Sequence, residues 1–212
     1  MAAACVLAAA LLASTPASAG CGKTKRFPAT ADAGVGADPL AIGDSVLLGA
    51  AEEAAAAGYD VDVRGCRQIS EGLAVLRRRA RRGALPRVVA IALGSNASIA
   101  IEDVRTALRI LGPRRILGLV TPREIRGMPL DDAATLRAAA ARWPARIELV
   151  DWVARTKRQR GLTYSDGIHL TSAGQRVMAE LLKAPLARLA PGAQDPPPPA
   201  GGGTAGGGAK AP

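Results

Sequence analysis

Two widely separated stretches of the sequence contain side chains that could cooperate in acyl transfer. Gly43-Asp44-Ser45-Val46 follows a short apolar run, and Asp166-Gly167-Ile168-His169 contains the only histidine of the chain. A serine at the start of a helix is a candidate nucleophile, because unpaired N–H groups there favour the negative charge that develops on an attacked carbonyl. Asp44-Ser45 alone is weak evidence, since Asp and Ser cap helices in many proteins.

The spacing of Asp166 and His169 suits a general base with an orienting carboxylate. A separation of three residues lets the carboxylate reach one ring N–H, which fixes the tautomer and stabilises an imidazolium. The other ring nitrogen is then free to accept the proton of the Ser45 hydroxyl. Simpler interpretations stay open: a histidine satisfied by a backbone carbonyl, and an aspartate that only shapes the turn before Gly167. One histidine without clustered carboxylates falls short of a zinc ligand set, so we expect no metal and no cofactor.

Apolar runs and segments of helical periodicity alternate along the chain after residue 38. The pattern predicts five strands, at residues 40–42, 60–63, 87–93, 115–120 and 146–150, with 60–63 near a sheet edge. Helices are predicted at 46–57, at 70–82 with Ser70 as cap, around 101–111, from an Asp131 cap to Trp143, and from a Ser172-x-x-Gln175 capping box to Pro185. The basic stretch 152–160 receives no element. The alternation indicates an α/β fold, a three-layer, doubly wound parallel sheet.

The candidate residues converge on one edge of this predicted sheet. Ligands of doubly wound sheets bind outside the carboxyl ends of the strands. Ser45 follows the first predicted strand, Asn96 the third, and the Asp166–His169 stretch the fifth. Their side chains should therefore meet at a common rim.

Three of these motifs together resemble the SGNH (GDSL-like) hydrolase superfamily. They are Gly43-Asp44-Ser45, Gly94-Ser95-Asn96 and Asp166-x-x-His169, and the resemblance covers about residues 38–183. With Cys66-Arg67-Gln68, the local sequence is similar to the extracellular SGNH domains of cell-wall O-acyltransferases. The resemblance implies a flavodoxin-like sheet and a domain over residues 38–190.

The resemblance also implies roles for individual residues. Ser45 would be the nucleophile, His169 the general base and Asp166 its partner. The oxyanion hole would consist of the Asn96 amide, the Ser45 N–H and an N–H from the loop after the second strand. In that loop the acyltransferase-like domains tend to have Gly directly before Arg-Gln, whereas this chain has Cys there, so either Gly65 or Cys66 could donate. Further candidates for substrate binding are Asp44, Arg67, Gln68 and Gly94, while Arg123, Glu124 and Arg126 could shape specificity from the loop after the fourth strand.

Composition and charge limit the classes of partner. The chain has 212 residues, a net charge of +10 and only 2% aromatic residues. Arginine spread along the chain is typical of a solvated surface, and no nucleic-acid motif accompanies it, so we expect no nucleic-acid partner. Attraction to anionic wall polymers or lipid head groups stays open. We expect a monomer with an acyl-ester substrate, carbohydrate or peptidoglycan among the candidates.

Both ends of the chain differ from the middle. Residues 1–19 are apolar and end in Ala17-Ser18-Ala19, which resembles a signal peptide with its cleavage site. The segment 20–37 reads as an irregular lead-in, and 191–212 as a disordered Pro/Gly-rich tail. Cys21 could be lipidated, which alone would give membrane attachment, or bridged to Cys66, or free.

The sequence therefore predicts a secreted or cell-envelope serine esterase. It would hydrolyse O-acyl esters, with short acyl groups on carbohydrate or wall material as the expected substrates. Two alternatives are an O-acetyltransferase that moves acetyl to a sugar hydroxyl and a non-catalytic, basic wall-binding module. The complete set of Ser45, Asn96, Asp166 and His169 argues against the binding module.

Overall fold

The computed structural model describes residues 21–124 and 131–189. The predicted signal peptide (1–19) and tail (191–212), as well as Arg126, lie outside the described residues. Within the described residues, no helix is long and apolar enough to cross a membrane.

One six-stranded sheet forms the centre of the molecule. Its strands are β1 (Lys25–Phe27), β2 (Leu40–Gly43), β3 (Asp60–Val63), β4 (Val88–Ala92), β5 (Ile116–Val120) and β6 (Ile147–Val150). They lie in the order β1-β3-β2-β4-β5-β6, with β2 to β6 parallel and β1 antiparallel to β3. The five parallel strands have the flavodoxin-like order, so the predicted doubly wound fold is confirmed.

Helices cover both faces of this sheet. They are α1 (Ser45–Gly49), α2 (Ala51–Ala56), α3 (Ile69–Arg81), α4 (Ile101–Leu111), α5 (Asp132–Arg142), α6 (Trp152–Arg158), α7 (Ser172–Leu181) and α8 (Lys183–Ala187). Successive β2 residues alternate between two apolar cores: Ala41 packs with α1, α2 and α7, and Leu40 and Ile42 pack with α3, α4 and α5. The molecule therefore has three layers, built from aliphatic side chains.

The lead-in differs from the sequence prediction. Lys25–Phe27 forms the edge strand β1, although 20–37 was expected to be irregular. A segment of three residues, two of them basic, is too short to show a hydrophobic period, and it forms a strand only because it pairs with β3. The polar Asp62 of β3 is buried, and ion pairs with Arg26 of β1 and with Arg67 satisfy its carboxylate.

The helices also differ from the sequence prediction. The first predicted helix is two short helices, interrupted after Gly49 at Ala50, whose φ of −113° is not helical. The helix α6, for which the basic stretch gave no signal, begins at an Asp151 cap and buries a single large side chain, Trp152. Helix α3 begins at Ile69 rather than at a Ser70 cap, with Glu71 accepting the N–H of Gln68 at 3.0 Å.

The last predicted helix is divided as well. Thr171, not Ser172, caps α7: its hydroxyl accepts the N–H of Gly174 at 3.2 Å. Pro185 does not end a helix but lies in the first turn of α8, where its missing N–H leaves no hydrogen bond unmade.

Candidate active site

Ser45 is fixed at the junction between β2 and α1. The strand ends at Gly43, and Asp44 caps the helix by accepting the N–H of Val46 at 2.9 Å. The chain approaches Leu47 so closely that a Cβ on Gly43 would lie 2.3 Å from the Leu47 Cβ. Only glycine fits there, and Ser45 follows as the first residue of α1. Because α1 has five residues, the helix-dipole support expected for Ser45 is that of a short helix.

A closed loop before α7 carries His169. Thr163 and Leu170 form an isolated antiparallel bridge at its base, and the N–H of Tyr164 donates to the carbonyl of His169 at 2.9 Å. At its tip, one carboxylate oxygen of Asp166 accepts the N–H groups of Ile168 (2.8 Å) and His169 (3.0 Å). The turn that makes this possible passes through left-handed backbone at residue 167, a glycine.

The two stretches meet as a Ser-His-Asp triad. His169 Nδ1 lies 2.6 Å from Asp166 Oδ2, and His169 Nε2 lies 3.1 Å from Ser45 Oγ. With Nδ1–H donating to the carboxylate, Nε2 is left to accept the serine proton. The side chains of His169 and Asp166 are 41% and 46% exposed, so the triad is open to solvent at the rim.

The carboxylate of Asp166 is held in its ionised form. Partial burial raises its pKa, but hydrogen bonds from the Ile168 N–H and from the ring and N–H of His169 outweigh that effect, so the pKa lies below its usual value. An ionised carboxylate beside Nδ1 stabilises the imidazolium that forms when His169 takes a proton.

Asn96 follows β4, and its side-chain amide contacts Asp44, the chain neighbour of Ser45. Asn96 Nδ2 donates to Asp44 Oδ2 at 3.1 Å, which uses one of its two N–H bonds. The other N–H is available to an oxyanion. Asp44 is fully buried, and this burial raises its pKa to about 6, although hydrogen bonds from Val46 and Asn96 partly offset the effect.

The loop after β3 contains the other predicted oxyanion donors. Gly65 is buried, and Cys66 has a φ of 56°. Arg67 is 3% exposed, pairs with Asp62 at 2.7 Å and donates to the carbonyl of Gly43 at 3.4 Å. Cys66 is joined to Cys21 by a disulfide with a Cα–Cα distance of 5.0 Å, so the Cys21 sulfur is not free for a lipid.

The four further residues predicted to bind substrate differ in exposure. Asp44, Arg67 and Gly94 are all buried. A Cβ on Gly94 would lie 2.6 Å from Pro122, and its φ of 118° also favours glycine. Gln68 alone of the four is exposed, at the start of α3.

The loop after β5, in which Arg123, Glu124 and Arg126 were predicted to shape specificity, is described as far as Glu124. Glu124 accepts the N–H of Asp132 at 2.6 Å, so this carboxylate serves the start of α5. Arg123 donates to Thr156 at 2.9 Å and reaches the triad loop, since a Cβ on Gly167 would lie 3.4 Å from its guanidinium. Of the two, Arg123 is the one near the triad.

A narrow cavity adjoins the triad and was not predicted from the sequence. Its free volume is only about 10 Å³, which is about enough for one water molecule. The lining is mostly apolar and includes Val46 and Ile168, the chain neighbours of Ser45 and His169, together with the buried Trp152 and Met178. Helix α6, which supplies Trp152, gave no periodic signal, and this explains why the cavity could not be foreseen.

Comparisons with known proteins show which solved structures share this fold. No protein-family model matches the sequence, and no curated protein sequence matches it either. Among solved structures, the C-terminal catalytic domain of peptidoglycan O-acetyltransferase A from Streptococcus pneumoniae is 23% identical, with a TM-score of 0.57 over 74% of this chain and 93% of that one.

Two further solved structures have a similar fold. A protein from Slackia heliotrinireducens assigned to the SGNH hydrolases is 19% identical, with a TM-score of 0.54 over 68% of this chain and 96% of that one. A member of the lipolytic G-D-S-L family from Veillonella parvula is 15% identical, with a TM-score of 0.52 over 68% and 94%. The resemblance seen in the sequence motifs is thus confirmed in the fold: the chain has the fold of the SGNH hydrolases.

Proposed function

We propose that the protein is an SGNH-type serine esterase that cleaves O-acyl esters through an acyl-serine intermediate. The observation that carries this proposal is the hydrogen-bonded chain Ser45–His169–Asp166, with links of 3.1 and 2.6 Å, at the carboxyl ends of the strands. If Asp44 and Ser45 served only to cap a helix and Asp166 only to shape a turn, no hydrogen bond would be needed between Ser45 and His169, which are 124 positions apart in the sequence.

The reaction follows from the positions of these groups. His169 Nε2 takes the Ser45 proton as Oγ attacks the ester carbonyl, and Asp166 stabilises the imidazolium. The free N–H of Asn96, the N–H of Ser45 and a donor from the loop after β3 stabilise the oxyanion. Collapse breaks the ester bond, and His169 returns the proton to the leaving alcohol. Water, activated by the same imidazole, then releases the acid from Ser45.

The acyl group we propose is short. The cavity lined by Val46, Ile168, Trp152 and Met178 has a free volume of only about 10 Å³, so it offers no room for a long acyl chain. The alcohol side of the ester would face the exposed edges of His169 and Asp166, where a bulky carbohydrate can approach. Esters of acetate or a similar acid on sugar hydroxyls, including those of wall polymers, fit this arrangement.

We also propose that the protein works outside the cytoplasm. The Cys21–Cys66 disulfide supports this, because such bonds persist in oxidising compartments and are rare in the cytosol. The signal-like residues 1–19 agree with export.

Acetyl transfer to a sugar is the second candidate. The likeness to a peptidoglycan O-acetyltransferase domain favours it, and the open triad would admit a sugar hydroxyl in place of water. Mass spectrometry of products from an acyl donor and a muropeptide acceptor separates the two: an acetylated muropeptide indicates transfer, and free acetate alone indicates hydrolysis.

Hydrolysis of 4-nitrophenyl acetate tests the shared chemistry. Ser45→Ala and His169→Ala should each lower kcat by more than about a thousandfold, since members of a triad act as a unit. Ser165→Ala, in the same loop and exposed, should leave kcat unchanged. Wild-type turnover that survives in Ser45→Ala would refute the proposal.

A further inference from the structure

Cys66 has an unusual backbone conformation at a sensitive place. Its φ of 56° is left-handed, and among the described residues it is the only residue other than glycine with a positive φ. A side chain with a Cβ disfavours this region, and such residues persist only where the surroundings hold them. Glycine would adopt the same conformation freely. Something must therefore hold residue 66 in the oxyanion loop, as we name residues 64–67.

The edge strand β1 leads to the disulfide that constrains residue 66. In the antiparallel pair, Lys25 lies opposite Val63, the last residue of β3. The chain before Lys25 therefore continues past the carboxyl end of β3, toward the oxyanion loop. Cys21 reaches Cys66 there, and the disulfide closes with a Cα–Cα distance of 5.0 Å.

An ionic network joins the same elements a second time. Arg26 of β1 contacts Asp62 of β3 at 3.3 Å, and Asp62 pairs with Arg67 at 2.7 Å. Arg67 in turn donates to the carbonyl of Gly43, two residues before Ser45, and the Arg64 N–H donates to the same carbonyl at 3.2 Å. Both connections from β1 end in the oxyanion loop beside the nucleophile.

The loop has donors whose direction matters. The N–H groups of Gly65 and Cys66 donate to no other group in the described part of the chain. The φ of Cys66 sets how the Gly65–Cys66 peptide is turned relative to the rest of the loop. A change to a right-handed φ would rotate that peptide and its N–H away from their present direction.

We infer that β1 and the Cys21–Cys66 disulfide form a brace that positions the oxyanion loop for acyl transfer. Cys21 and Cys66 are positioning residues, and the oxidised chain is the active form. The inference rests on the proposed function, since it assigns the loop an oxyanion to stabilise. It reaches further, because it makes turnover depend on a bond that lies outside the triad.

Two double variants that differ only at residue 66 test this inference. Cys21→Ala/Cys66→Ser removes the brace and keeps a Cβ, and Cys21→Ala/Cys66→Gly removes the brace but permits the left-handed φ. Neither leaves a free thiol at these two positions. We expect kcat for 4-nitrophenyl acetate to fall about tenfold or more in the serine variant, with KM within about twofold. The glycine variant should recover most of the kcat. Circular dichroism must show both to be folded at the assay temperature.

Amide chemical shifts of residues 64–67 provide a readout that does not depend on activity. The serine variant should shift or broaden these signals, and the glycine variant should retain positions close to those of the wild type. Equal kcat values in both variants, whether unchanged or equally lowered, would overturn the inference. If the wild type hydrolyses no ester while the shifts behave as expected, the brace stands and the proposed function fails.

Discussion

The carboxylate of Asp44 contacts Asn96, the proposed oxyanion donor, rather than His169. It accepts one N–H of Asn96 at 3.1 Å and the N–H of Val46 at 2.9 Å, and the residue is fully buried. In the proposed mechanism, the bond from Asn96 to Asp44 would orient the amide so that its second N–H can meet an oxyanion. The sequence also gives Asp44 as a candidate for substrate binding, but it does not show which way the side chain points.

Asn96→Ala should lower kcat by about a hundredfold or more, because one oxyanion donor contributes roughly 3 kcal/mol to transition-state stabilisation. Its KM should change little, since the bond forms mainly in the transition state. Steady-state kinetics with a short-chain ester measures both values. Ser98→Ala, an exposed change in the same loop, is the matched control. A kcat within threefold of wild type in Asn96→Ala would remove Asn96 from the mechanism.

Asp44→Asn should remove a pH dependence of stability. The pKa of Asp44 is raised from 3.8 to about 6 by burial, so the folded state binds its proton more tightly than the unfolded state. The stabilisation that the folded state gains from this tighter proton binding is fully present below pH 3.8 and is lost as the pH rises through 6.

Relative to Asp44→Asn, the wild type should therefore lose about 2 kcal/mol of unfolding free energy between about pH 4.5 and pH 7.5. Urea unfolding of both proteins at the two pH values measures this difference, and other titrating groups cancel in the comparison. A difference that stays constant with pH would contradict the assigned pKa.

At the scale of elements, the sequence predicted what a strong local pattern encodes. The unbroken β-branched run gave β4, and the spacing of Ile101, Val104, Leu108 and Leu111 gave α4. Elements that depend on a distant partner were missed: β1 exists because β3 offers an edge, and α6 because Trp152 is buried against a core built by other segments. Neither partner is visible within a short window of sequence.

The cap of α7 shows how one residue can shift a boundary. Thr171 accepts the Gly174 N–H at 3.2 Å and donates to the Gly161 carbonyl at 2.7 Å, which ties the helix to the loop of His169. Only Ser172-x-x-Gln175 matches the capping-box pattern, since Thr171 is followed three residues later by Gly174, so the pattern favoured the wrong hydroxyl.

Thr171→Ala should lower the unfolding free energy by about 1–2 kcal/mol through the lost cap. Ser172→Ala is the matched control, because Ser172 is exposed, and its effect should stay within about 0.5 kcal/mol. Chemical denaturation of both variants decides between the caps. The reverse order of effects would show that Ser172 is the cap.

At the scale of the molecule, the fold brings together groups that are far apart in the chain. The strand order could be predicted in outline, and with it the rim at which Ser45, Asn96 and His169 lie. The 3.1 Å contact between Ser45 and His169 could not, because it depends on the closed loop 163–170 and its anchoring to α7. The cysteines illustrate the same limit: their pairing stayed open in the sequence because the Cα separation is set by β1.

Labelling with a fluorophosphonate tests the central claim most directly, because it reports an activated serine without knowledge of the substrate. Peptide mapping of the labelled protein should place one modification on Ser45. The label should be absent in Ser45→Ala and form far more slowly in His169→Ala. Modification of a different serine, or no labelling under conditions in which a known serine esterase reacts, would contradict the account.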